Sequence, residues 1–189
     1  MLRAVRRIIT GHDENGKSII LEDGPSPHVL ENPDQEGRGL TDLWRTFSAP
    51  ADNGGGGGGG GGGTDAADTQ VTLAPPANGS VFRFFQVRPA AWDADIPAEE
   101  RARRDAENFA KMGAGGAHDN ASGQPGMHKT DTVDYIILLS GRVSMILDDG
   151  EVDMEPLDVV IQRGTNHAWV NRGNEPAVLA GILIDADAI

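Results

Sequence analysis

The chain has 189 residues, a net charge of −13 from 29 acidic and 16 basic residues, and no cysteine. The length fits one domain with attachments, and the charge argues against nucleic acid or an anionic membrane surface as partners. Without thiols there are no disulfides, thiolate nucleophiles or Cys-held metals, so any metal must be held by His and carboxylate.

MLRAVRRIIT is basic but lacks the apolar run of a signal peptide, and no stretch approaches the ~20 apolar residues of a membrane span. A soluble cytoplasmic protein is therefore expected. Residues 4–10 and 17–22 (AVRRIIT and KSIILE) are short β-type runs joined by GHDENG, a hairpin loop that leaves His12 solvated. DGPSPHVLENPDQEGRG reads as a long irregular connection, with His28 likewise solvated. LTDLWRTF (40–47) follows as a strand with Leu40, Asp42 and Trp44 alternating.

Glycine occupies every position from Gly54 to Gly63. Glycine loses the most backbone entropy on ordering and has no side chain to bury, so residues 49–68 are read as a flexible loop. No Lys-Ser/Thr follows, which excludes a phosphate loop. Two strands are expected next, at 69–74 and 80–88, around the turn PPANGS. PAEERARRDAENFAKM (97–112) is the convincing helix. Pro97 stands near its start, Gly113 follows its end, and Glu99–Arg103 and Glu100–Arg104 are i,i+4 pairs. Its apolar face is thin (Ala102, Ala106, Phe109), so it reads as a surface insertion within 94–116. His118, in the loop after it, is read as solvated.

From residue 133 six short strands follow one another, with an Asp-Gly hairpin turn in DDG (148–150). Close-set strands joined by turn signals indicate an all-β antiparallel barrel or sandwich, and with the strands before residue 90 a closed double-sheet β-barrel is the natural architecture. The expected organisation is N-terminal strands (1–48) packed on a barrel (69–189) that carries the helical insertion. Side chains alternate faces along a strand, so His128, Thr130, Thr132 and Asp134 share one face if their strand begins early enough. His167, Trp169 and Asn171 share another. A barrel that brings His128, Asp134 and His167 together offers two imidazoles and a carboxylate, a set suited to Fe, Mn, Zn or Ni with positions left open. The plainer readings are His128 in a loop, His167 bonded to Asn171 or Thr165 in the core, and Asp134 capping a turn or pairing with Arg142 or Arg163.

The spacing resembles the cupin family. Its first motif is Gly, His-x-His, three or four residues, Glu, six residues, Gly. Here it reads His128-Lys129-Thr130, then Asp134, then Gly141. Thr130 replaces the second His and Asp134 the Glu. The second motif reads Pro156-Leu157-Asp158, then Gly164, His167 and Asn171, with Leu157 at the usual Gly and Gln162-Arg163 at the usual Pro.

The resemblance is close over 126–184. It implies a small single-domain cupin, a jelly-roll barrel with N-terminal strands and one short surface helix. It also implies a divalent metal cofactor at His128, Asp134 and His167; Thr130, Gln162 and Trp169 are the candidate contacts to a small-molecule substrate, with barrel packing the plainer reading of Trp169. The implied chemistry is oxygenase, decarboxylase, lyase or isomerase in type, and the implied assembly is a homodimer paired through the N-terminal strands. A metal-free barrel that binds a small ligand without catalysis is the alternative, motivated by Thr130.

Overall fold

The computed structural model describes residues 1–53, 65–114, 117 and 124–188. The glycine run and His118 lie outside the described residues. Among the described residues, eleven strands and one α-helix follow in chain order. The first hairpin pairs β1 (Arg6–His12) with β2 (Ser18–Pro25) as a separate two-stranded sheet. β3 (Val29–Glu31), β4 (Gly39–Thr46) and β5 (Ser80–Val87) precede α1 (Ala98–Lys111). β6 (Thr132–Ser140), β7 (Val143–Leu147), β8 (Glu151–Met154), β9 (Val159–Arg163), β10 (His167–Val170) and β11 (Ala177–Asp185) follow. The main sheet has the order β3-β4-β5-β11-β6-β9, the smaller one β10-β7-β8, and every pairing is antiparallel. Among the described residues no helix is long and apolar enough to cross a membrane.

The core forms where period-two patterning turns apolar side chains inward from these sheets. On β6, Thr132, Asp134, Ile136 and Leu138 are buried, while Tyr135 and Leu139 face outward. Ile136 and Leu138 join Val143, Met154, Ala177 and Leu179 in one cluster, against which Phe85 and Trp169 pack. Gly141 makes the β6–β7 turn at φ 83°, and a Cβ there would meet the Cα of Ala177 at 2.8 Å. Both facts require glycine at this position.

Three expectations need correction. Residues 69–74 form no strand. Their backbone is satisfied another way: Arg83 donates to the Thr72 and Leu73 carbonyls at 2.7 and 3.3 Å, and the Leu73 amide donates to Met112. The simple alternation in β4 is broken by a bulge between Asp42 and Trp44, which buries Leu43 as well. His28 is not solvated. Its Nε2 lies 2.6 Å from Asp65, a carboxylate that also binds Arg7, and this cluster ties the first hairpin to the barrel. Arg7 and His28, both close to the Asp65 carboxylate, hold its pKa down at about 2 despite its burial.

Candidate functional site

A cavity of about 510 Å³ opens between the barrel and α1, a volume in the range of small-molecule sites. His128, Asp134, His167 and Trp169 all line it. β6 begins only at Thr132, so His128 is placed by other means. The backbones of His128 and His167 exchange two hydrogen bonds of 2.9 Å each, forming an isolated bridge. That bridge sets the two imidazole rings 4.3 Å apart, centroid to centroid.

Both rings are held by backbone carbonyls. Nδ1 of His128 lies 2.8 Å from the Gly126 oxygen, and Nδ1 of His167 lies 3.0 Å from the Thr165 oxygen. A carbonyl only accepts, so each Nδ1 carries the proton and the basic lone pair sits on Nε2. Burial lowers the pKa of His167, opposed by its bond to Thr165, and so favours the neutral imidazole. This Nδ1–H···O=C anchoring is how proteins orient imidazoles that bind metals.

Asp134 is 4 % exposed, and its Oδ1 has no hydrogen-bond partner. Burial raises its pKa to about 6, against the opposing effects of a hydrogen bond from Thr132 and the charge of Arg83. Arg142 is engaged elsewhere, by Glu155 at 2.8 Å. Trp169 stands edge-on to His167 at 5.8 Å and packs near Phe85. Thr130 and Gln162 do not border the cavity. The Thr130 hydroxyl bonds that of Thr132 at 2.8 Å, and the Gln162 amide donates to the Thr165 carbonyl at 2.8 Å.

The donor chemistry fits a divalent metal at the two imidazoles. It does not extend to a full set, because among the described residues no three His, Asp or Glu side chains converge closely enough to hold an ion.

The helix contributes what the sequence reading missed. α1 lies on the barrel surface, but Arg101, Asp105, Asn108, Phe109 and Met112 recur on one of its faces and line the cavity. The Phe109 ring sits 5.0 Å from His128. Gln35, 2 % exposed, fixes the helix by accepting from Asn32 at 2.9 Å and Asn108 at 3.0 Å. Arg38 binds Asp105 at 2.6 Å from the same side. The signal was present in the sequence: Arg101, Asp105 and Phe109 stand at i, i+4 and i+8, charged residues on the stripe that also carries the helix's aromatic side chain.

The sheets together define an antiparallel barrel of the jelly-roll type with a cavity beside α1. Residues 118–184 match the family described as Cupin domain. A cupin-domain-containing oxidoreductase, fogC, of Aspergillus ruber is 31% identical over 193 residues, covering 100% of this chain and 76% of the relative. Phomopsin biosynthesis cluster protein C' of Diaporthe leptostromiformis is 28% identical over 180 residues, covering 92% and 74%. Among solved structures, the Cnp3 cupin domain of Schizosaccharomyces pombe aligns over 95% of this chain and 87% of its own at 9% identity, with a TM-score of 0.44. The chain belongs to the cupin family.

Proposed function

We propose that this cupin is an oxidoreductase that transforms a small organic molecule in the cavity between the barrel and α1. The observation that carries the reading is the pair of imidazoles at the cavity wall, each with Nδ1–H anchored to a carbonyl. The relatives support it in kind: one is named a cupin-domain-containing oxidoreductase, another a biosynthesis cluster protein.

His128 and His167 would hold a divalent metal through Nε2. When bound, such an ion polarises a substrate oxygen or supplies redox chemistry. The remaining steps belong to this chain's own side chains. Phe109 and Trp169 flank the imidazoles and shield them from water. Asp134 was the third expected ligand. Its separate position and its pKa of about 6 suit it better to holding a proton that a substrate group can take up or return. Thr130 and Gln162, bonded within the barrel wall, support the loops that carry the two His residues.

The test is metal content. The untagged protein is purified and its metals measured by mass spectrometry, with His167→Ala beside it. Close to one ion per chain, lost in the variant, is expected. A content well below one that does not fall further in His167→Ala refutes the metal reading. The alternative is a metal-free binding barrel, motivated by Thr130 at the usual second His and by the lack of a converging third ligand among the described residues. It predicts ligand-dependent thermal shifts that persist in chelator. A homodimer is part of the proposal, supported by Ile8, Ile20 and Leu21 exposed on the first hairpin. A monomeric mass in light scattering would contradict it.

A further inference from the structure

Most charged side chains that line the cavity are neutralised in place. Arg38 pairs with Asp105 at 2.6 Å, Arg83 with Asp42 at 2.9 Å, and Arg88 with Asp93 at 3.6 Å. Two cations on the same wall, Arg101 and Lys111, make no ion pair among the described residues; Lys111 is exposed, whereas Arg101 has a buried Nε without a hydrogen-bond partner. A guanidinium is always charged, and leaving one partly desolvated without an acceptor is costly. The neighbouring arginines of α1 do not share this condition: Arg103 and Arg104 both bind Glu100.

We propose that Arg101 is the anchor for an anionic group, a carboxylate, on the substrate of this cavity. The inference rests on the reading of the cavity as the reaction site and names the substrate class for it. Arg101 lies eight residues before Phe109 on the same helix face, so the two are separated by about 12 Å along the axis. Phe109 covers His128. The anchor therefore stands at the end of the cavity away from the imidazole pair. The lining also carries apolar side chains, among them Leu40, Phe85, Ile136 and Leu183. A molecule that fits both ends has an apolar body, its carboxylate at Arg101 and its reacting carbon toward the imidazoles.

The overall charge of −13 repels anions, so a preference for a carboxylate over its uncharged twin must be local in origin. The test uses matched pairs: cinnamate against cinnamamide, and octanoate against octanamide. Binding is read by calorimetry and by quenching of tryptophan emission, since Trp169 borders the cavity. The full chain is used as purified and again in chelator.

Each carboxylate is expected to bind about tenfold or more tightly than its amide, the size of a charge-assisted pair. Arg101→Gln should erase that preference by weakening carboxylate binding more than amide binding, and Arg101→Lys should keep part of it, because a point charge replaces a planar fork. Thermal midpoints of both variants should be no lower than the parent's, since no ion pair of the fold is removed and Arg101→Gln also removes an uncompensated charge. Equal binding within both pairs, no carboxylate binding in the millimolar range, or a preference that survives Arg101→Gln overturns the proposal. Metal content in His167→Ala is read separately. If it is unchanged while the Arg101-dependent preference stands, the metal reading fails and the anion anchor holds; the converse pair of results keeps the metal and removes the anchor.

Discussion

Asp134→Asn is the substitution that most directly tests the electrostatics of the cavity. Burial raises the Asp134 carboxyl from 3.8 to about 6, with Thr132 and Arg83 opposing the shift. The folded chain therefore binds this proton more tightly than the unfolded chain. Below pH ~4 both states are protonated and the group costs nothing. As pH rises through the window from about 4 to about 6, the buried carboxyl ionises at a cost, and stability falls. About two pKa units correspond to about 3 kcal/mol once the window is passed. Asparagine carries no such penalty, although its amide still needs acceptors, so the net gain above pH 7 is expected nearer 1–3 kcal/mol.

Urea unfolding of both proteins across this range, in chelator so that no cation neutralises the carboxylate, gives the difference directly. Subtracting the two curves cancels the background from the rest of the acidic chain. The expected result is near-equal stability at pH 4 and a more stable variant above pH 7. A difference that does not change with pH, or a parent that gains on the variant as pH rises, refutes the reasoning.

Asp42 lies buried between Arg45 at 2.7 Å and Arg83 at 2.9 Å. Asp42→Asn leaves two buried guanidiniums uncompensated and should cost about 3–5 kcal/mol in chemical denaturation; a loss under about 1 kcal/mol would show that the network is screened. Leu157 holds φ at 81° and is 81% exposed, so Leu157→Gly relieves backbone strain at little cost in burial. Set against the greater chain entropy of glycine, it should stabilise by about 0.5–1 kcal/mol; a measured destabilisation would count against the strain.

The barrel and the positions of its late strands were legible because their information is local. Period-two alternation, the Asp-Gly turn and the fixed spacing of His128, Asp134, Gly141 and His167 all lie within short stretches of chain. The position of Leu157 in a turn where the family has glycine was also visible, and its left-handed backbone shows why glycine is usual there. The irregular path of 69–74 was not visible, because its backbone bonds go to Arg83 and Met112, partners distant in sequence.

The sequence by itself determined the barrel, the absence of thiol chemistry and the two imidazoles that belong together. Only the tertiary structure decided which of the other polar residues meet them. Gln162 turned to its own loop, while Asp134 reached the cavity without converging on the imidazoles. α1, with a thin apolar face, became a wall that carries Phe109 to His128 and leaves Arg101 without an ion pair among the described residues. The physical reason is that alternation and spacing assign a side chain to a face, whereas proximity between faces depends on how distant segments pack. The charge balance of a cavity is a sum over those segments.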